Sequence, residues 1–291
     1  MELEYATADL FADDCSITIS DKCIDTIGNL LSQDLMNINR WCQLNKMVLN
    51  TSKTKTMYIC SSSKHRSFTG QFPSICLNDT ELIASSEEKL LGVSIVNTLN
   101  WDTHVNNILK KCNSYLYLLS RIKLFLSLDK RKLFFNAYIL PHIDYCSTIW
   151  GKCSSGSEDK LLKFQKRAAR IILDQEVDAP SSPLFLELNW MPFSERVSFQ
   201  KAILMYKTFN NLAPQYLRNL LTLTTDISTR HLRSTFLNTL YVPKPSCELF
   251  RTSFSYSGSS IWNSLPPNIR TAPSLNLFKS LYLEWSRLNC S

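Results

Sequence analysis

No stretch of about 18 uncharged apolar residues occurs in this chain, because charged or strongly polar side chains interrupt every apolar run. The sequence therefore predicts no membrane span and no membrane partner. The first ten residues carry Glu2, Glu4 and Asp9 and lack the basic and apolar regions of a secretory signal. An intracellular protein is expected, in nucleus or cytoplasm alike. Close-spaced cysteine pairs are missing too: the ten cysteines fall at 15, 23, 42, 60, 76, 112, 146, 153, 247 and 290, and none forms C-x-x-C. Most sit inside apolar patterns, where a free Cys acts as a small hydrophobe, so reduced structural thiols are expected and a zinc site is not. The nearest approach to a ligand cluster, His142, Cys146 and Cys153, lacks a fourth member and reads as core. Internal repeats and long low-complexity linkers are absent as well. The 291 residues suit one large domain or two to three small ones.

What is present is unevenly distributed. Residues 1–100 hold 8 Lys and Arg against 12 Asp and Glu, residues 101–173 hold 13 against 5, and residues 174–291 hold 11 against 8. The middle block is basic. Such asymmetry points to an anionic partner, with nucleic acid ahead of a merely solvated basic surface.

The first hundred residues mix strands with a helix. Thr7 to Phe11 and Cys15 to Ile19 flank Ala12-Asp13-Asp14, which reads as a tight β-hairpin with the acidic pair at its tip. Ser20 or Asp21 can cap a following helix, since Ile24, Ile27, Leu31, Leu35, Ile38 and Cys42 recur at spacings of three and four. Its apolar face should cover one side of a sheet, with strands at Met47 to Leu49, Thr56 to Cys60, Ile75 to Leu77 and Leu90 to Val96. Polar turns such as Asn50-Thr51-Ser52 and Ser61-Ser62-Ser63 separate them.

From Trp101 the periodicity becomes helical. Trp101, Val105, Ile108, Cys112, Tyr115, Leu119 and Ile122 form one stripe, and a second helix runs from Asp129 to Pro141. A third starts near Ser157, with Leu161, Phe164, Ala168 and Ile171 on its buried side. Acidic residues in its first turn and basic ones later suit the helix dipole. Further helices are expected over 192–209, 214–221 and 274–285, while prolines at 243, 245, 266, 267 and 273 break the tail into short pieces.

The chemistry rests on Phe11-Ala12-Asp13-Asp14. Two adjacent carboxylates at a hairpin tip repel one another, and a divalent cation would relieve that repulsion. Magnesium takes one or two protein carboxylates, keeps several waters and draws its other ligands from phosphates, so such a tip suits phosphoryl transfer. A solvated acidic turn has the same four letters. A second candidate lies on the third helix: Lys160, Lys163, Arg167 and Arg170 fall at i, i+3, i+7 and i+10, along one side that can track a phosphate backbone. Trp150, Trp190 and Trp262 read as core in preference to base-stacking platforms.

The segments downstream of FADD resemble, in order and spacing, the reverse transcriptases of non-LTR retrotransposons of the jockey-like and CR1-like kind. Asp34-Leu35 to Trp41-Cys42 and then Leu49-Asn50-Thr51-Ser52-Lys53-Thr54-Lys55 look like the helix and N-x-x-K-T-K turn of their palm. Lys89-Leu90-Leu91-Gly92-Val93 resembles the primer-grip turn, and Trp101-Asp102-Thr103-His104 the opening of the thumb. Pro141-His142-Ile143-Asp144-Tyr145-Cys146, Gln165-Lys166-Arg167-Ala168-Ala169-Arg170, Ala213-Pro214-Gln215-Tyr216-Leu217 and Ile261-Trp262-Asn263-Ser264-Leu265-Pro266 are similar to the region beyond.

The resemblance implies catalytic metal-site roles for Asp13 and Asp14, with Asp13 the direct ligand, and a cofactor of Mg2+ or Mn2+, weakly bound. It gives Lys53 the leaving-group side of the reaction and Gly92 the backbone approach to a primer end. The implied fold is α+β: a partial palm over 1–100, a helical thumb over 101–175 and a helix-rich region over 176–291. The implied partners are an RNA template and DNA primer, or an RNA-DNA duplex. The family's other metal-binding aspartate precedes FADD, and only ten residues precede Phe11 here. The expectation is a C-terminal portion without polymerase activity of its own, or else a non-enzymatic nucleic-acid-binding remnant.

Overall fold

A computed structural model describes residues 3–68, 70–78, 80–227, 238–245 and 247–289. The chain divides into two compact units, Met1–Asn100 and Trp101–Ser291.

In the first unit, β1 (Thr7–Phe11) pairs antiparallel with β2 (Asp14–Thr18). Helix α1 (Ile24–Leu44) comes next, and its spaced apolar residues put Leu35, Ile38 and Cys42 inside. Neither Ser20 nor Asp21 caps it. Cys23 holds the N-cap position, and Asp21 Oδ1 instead accepts from the Cys23 N–H at 2.8 Å, an Asx turn that leads into the helix.

The expected single sheet is instead a set of two-stranded pairs. After α1 come β3 (Lys55–Thr56), α2 (Ser62–Ser67), β4 (Cys76–Leu77), β5 (Thr80–Glu81), β6 (Ile83–Ala84), β7 (Glu87–Leu90) and β8 (Val93–Val96). β3 pairs parallel with β6, while β4 with β5 and β7 with β8 are antiparallel. Met47 to Leu49 is not a strand, and Thr56 to Cys60 is one only at its start. The Ser61-Ser62-Ser63 turn begins a short helix, because Ser61 Oγ accepts from the Lys64 N–H at 3.2 Å as an N-cap. Leu90 to Val96 is a hairpin. Leu35, Ile75, Leu77 and Leu82 make the buried centre of the unit, with Ile17, Leu31 and Leu49 packed on it.

The second unit is helical where it is described, apart from one bridge between Leu223 and Leu240. Helix α3 (Asp102–Ile122) ends in a 3-10 turn over Lys123–Phe125. Next, α4 (Leu128–Phe134) passes through a π-helical stretch, Phe135–Ile139, into α5 (Leu140–Asp144). Pro141 therefore does not end this helix. A proline clashes with the carbonyl four residues back, here Ala137, and the widened turn lies where that clash would fall.

The chain continues through α6 (Ser147–Trp150), α7 (Ser155–Leu173), α8 (Ser181–Leu188), α9 (Phe193–Phe209), α10 (Gln215–Asn219) and α11 (Thr224–Ile227). After the next described stretch come α12 (Glu248–Thr252), a π turn over Phe254–Gly258, α13 (Ser259–Ser264), α14 (Pro267–Arg270) and α15 (Leu275–Asn289).

Two cores fill this unit. One gathers Val105, Cys112, Leu116, Leu119, Ile139 and Trp150 with Leu161, Ala168 and Val197; the other gathers Ala202, Met205 and Tyr206 with Trp262, Ile269 and Phe278. Trp150 and Trp262 are fully buried and Trp190 packs on Phe135, so all three are core residues, as their setting in the sequence suggests. The cysteines divide differently from the expectation. Cys42 and Cys112 are buried, but Cys15, Cys23, Cys76 and Cys247 are exposed, and Cys290 lies outside the described residues. The nine described cysteines are all unpaired thiols.

Candidate functional site

The acidic hairpin turns in two residues. Phe11 pairs with Asp14, so Asp14 already belongs to the strand and the turn consists of Ala12 and Asp13. Ala12 has φ 52°, the left-handed region, and Asp13 does not share it. A positive φ at the first of two turn residues is the pattern of a type II′ hairpin, in which glycine normally stands. An alanine there costs about 1–2 kcal/mol. Both carboxylates are exposed at this tip, available to an ion or to water. Asp13 and Asp14 offer two hard oxygen donors, which suit part of a magnesium shell whose other positions are water or phosphate. Among the described residues, no group of three His, Cys, Asp or Glu side chains is placed to hold a metal.

The stem of the hairpin is tied to α1 by a residue that the family resemblance includes at the start of its helix segment but to which it assigns no role. Asp34 is 0% exposed, and its carboxylate accepts from the backbone N–H groups of Glu4, Tyr5 and Ala6 at 2.9, 3.0 and 2.6 Å. Burial alone would raise its pKa. The three N–H donors, helped by Asn37, outweigh that and hold it below the ordinary carboxylate range. The one signal in the sequence is an aspartate between Leu31 and Leu35 on an otherwise apolar face of the helix.

Lys53 stands in a turn that Asn50 builds. The Asn50 carbonyl accepts from the N–H of Lys53 at 3.2 Å and of Thr54 at 3.0 Å, while its side-chain oxygen accepts from Ser52 Oγ at 2.7 Å. The local order Asn-Thr-Ser-Lys-Thr thus fixes the backbone and leaves the Lys53 side chain exposed. Among the described residues no ion pair joins Lys53 to Asp13 or Asp14.

Gly92 lies at the tip of the β7–β8 hairpin. Leu90 pairs with Val93, and the two turn residues Leu91 and Gly92 have φ 45° and 87°. Two positive φ values mark a type I′ turn, which explains the glycine by geometry alone. The turns at residues 53 and 92 therefore each have a local cause, whereas the turn at residue 12 forms against the preference of its alanine.

In the second unit, α3 and α7 lie side by side with their N-termini together. Asp102 Oδ1 accepts from Ser154 Oγ at 2.6 Å and Ser157 Oγ at 2.5 Å, joining the two helix starts. Ser154 also caps α7 through the Ser157 N–H. Further along, Lys160 Nζ donates to Asn106 Oδ1 at 3.0 Å, and Arg167 donates to Asn113 Oδ1. Both pairs advance by seven residues on each helix, a match legible in the sequence only once the helices are known to be neighbours.

Lys160, Lys163 and Arg167 are exposed along this seam. Arg170 is half-buried, and its Nε donates to the Ala179 carbonyl at 2.9 Å. Three of the four basic residues thus face solvent together, while the fourth braces the chain after α7.

Part of the chain is similar to a known protein. Over 192 residues it is 23% identical to a probable RNA-directed DNA polymerase from transposon BS of Drosophila melanogaster. The matched stretch covers 65% of this chain and 21% of that protein, so the chain spans about a fifth of the relative's length. No family model matches the chain, and no solved structure does. The likeness supports a reverse-transcriptase-like origin. No helix among the described residues is long and apolar enough to cross a membrane.

Proposed function

We propose that this chain is part of the reverse transcriptase of a non-LTR retrotransposon: a portion of its palm, then a helical thumb and a helix-rich region. The observation that carries the reading is the FADD hairpin, whose two-residue turn presents Asp13 and Asp14 to solvent on a stem anchored by Asp34. The order of turns behind it supports the same reading, as does the likeness to a transposon polymerase.

In this reading Asp13 and Asp14 hold a divalent ion, Lys53 neutralises the leaving group, and the Gly92 hairpin meets the primer end. The ion, when bound, stabilises charge developing on the transferring phosphoryl group. The exposed face of Lys160, Lys163 and Arg167 contacts the phosphates of an RNA-DNA duplex. Two carboxylates leave the metal site incomplete, so the 291-residue chain binds nucleic acid without extending a primer.

The test is incorporation of labelled nucleotide on a primed RNA template with magnesium or manganese, alongside duplex binding. Salt-dependent binding without extension is the expected result. Extension abolished by Asp13→Ala would overturn the incompleteness, and absence of duplex binding would overturn the nucleic-acid reading.

A further inference from the structure

The basic seam of the second unit ends on an apolar tip. The 3-10 turn after α3 leaves Leu124 77% and Phe125 87% exposed. Burying such side chains would contribute roughly 1.5–3 kcal/mol each, so two of them side by side in water suggest a contact surface. The turn is held firmly. The Leu126 N–H donates to the Lys123 carbonyl at 3.2 Å, and Lys123 Nζ sits 2.5 Å from Asp174. Arg131 locks the far side, with Nε on the Leu126 carbonyl at 3.0 Å and Nη1 on the Ile172 carbonyl at 2.7 Å. Leu126 and Leu128 pack against the first core. Phe125 is thus a fixed projection.

The surroundings indicate what meets it. Asn106, Lys110, Asn113, Tyr117 and Arg121 recur every three or four residues, forming one stripe of α3 that adjoins Lys160 and Arg167 of α7. This stripe runs to the tip. From Lys110 to Leu124 the helix rises about 21 Å, the axial length of about six phosphates of one strand. In the sequence around the tip, residues 121–132 carry Arg121, Lys123, Lys130, Arg131 and Lys132 against Asp129 alone, and Asp174 of the neighbouring segment is ion-paired with Lys123. Tyr117 is exposed on the way. A basic stem with Leu and Phe at its end is the composition of nucleic-acid-binding surfaces that insert apolar side chains against bases.

We propose that Leu124 and Phe125 form an apolar wedge that takes the face of a base at the end of an RNA-DNA duplex, while the duplex phosphates lie along the α3–α7 seam. The wedge rests on the nucleic-acid reading above and adds to it a defined end for the bound duplex. Its chemistry is stacking and unstacking, independent of sequence, because every base has an apolar face.

The test uses the full chain and RNA-DNA duplexes carrying 2-aminopurine at the terminal pair or in the interior. The unaltered protein should change the fluorescence of the terminal probe at least about twofold and leave the interior probe nearly unchanged. The double variant Leu124→Ser, Phe125→Ser should lose that change and bind roughly tenfold more weakly, with the same salt dependence. Both residues are exposed, and circular dichroism of the variant will show the fold intact. Unaltered affinity and fluorescence in the double variant would overturn the wedge and leave the seam standing. Failure of the unaltered chain to bind any duplex in a salt-dependent way would overturn both. Binding to phosphatidylserine vesicles that needs Leu124 and Phe125, with no response from the terminal base, would assign the tip to a lipid surface and overturn the proposal.

Discussion

The Asp34 carboxylate accepts from the Ala6 N–H at 2.6 Å, one residue before β1 begins, so a helix residue fixes where the acidic hairpin starts. Replacing Asp34 with Ala should leave three backbone donors unsatisfied and remove roughly 2–4 kcal/mol of stability from the first unit. Its pKa is depressed in the folded state. The stabilisation is therefore present above the ordinary carboxylate range and lost as pH falls through the lowered value. Urea unfolding of the native chain and of Asp34→Asn should converge in acid and diverge towards neutral pH. Parallel curves throughout would show that the carboxylate does not anchor the stem.

At the hairpin tip, Ala12→Gly should stabilise the turn. It relieves a left-handed alanine at about 1–2 kcal/mol and gives back part of that as chain entropy, for a net gain of roughly 0.5–1 kcal/mol. Gly92→Ala should have the opposite sign, since φ there is 87°. Amide exchange across residues 7–18 and 87–96 reads each hairpin separately, and a loss of protection in Ala12→Gly would contradict the turn assignment.

Lys201 is 1% exposed, and its Nζ donates to Ser257 Oγ at 2.8 Å. Burial, with a smaller push from Lys152, lowers its pKa to about 8. The unfolded chain holds this proton up to the ordinary lysine range, so the Lys201 contribution to stability should rise by about 3 kcal/mol as pH goes from about 8 to about 10.5, while the Cys112 and Cys153 thiols, whose pKa values burial raises, act in the opposite sense. Lys201→Met should flatten that rise and match or exceed the native stability at neutral pH. Thermal melts of both chains across the window decide it. A stability difference between the two chains that stays constant across that range would refute the prediction.

For the α3–α7 seam, Lys160→Gln, Lys163→Gln and Arg167→Gln together should lower the salt slope of duplex binding by up to about three contacts and weaken all sequences alike. Arg170→Gln should instead lower stability and leave the slope near its native value, because its Nε is engaged with the Ala179 carbonyl. A slope that responds to Arg170 and not to the other three would invert this division.

Periodicity locates α1, α3, α7 and α9 to within a few residues, because each buries a continuous stripe and the stripe is written at fixed spacing. The short strands are less legible. β3 and β6 are two residues each and pair in parallel across a wide gap in sequence, a relation that no local pattern records. The turns are the clearest part of the candidate site, since Asn50 and Gly92 each have a local reason to be there. Asp34 and Arg170 are not legible from type and spacing alone. What each does depends on partners 28 and 9 residues away, Ala6 and Ala179.

The two cores of the second unit share one helix: Val197 of α9 belongs to the first, and Ala202, Met205 and Tyr206 to the second. A wall common to two rooms cannot be taken down from one side only. Once α9 frays, both interiors are open to water, so the unit should melt in one cooperative step even though its apolar residues fall into separate clusters.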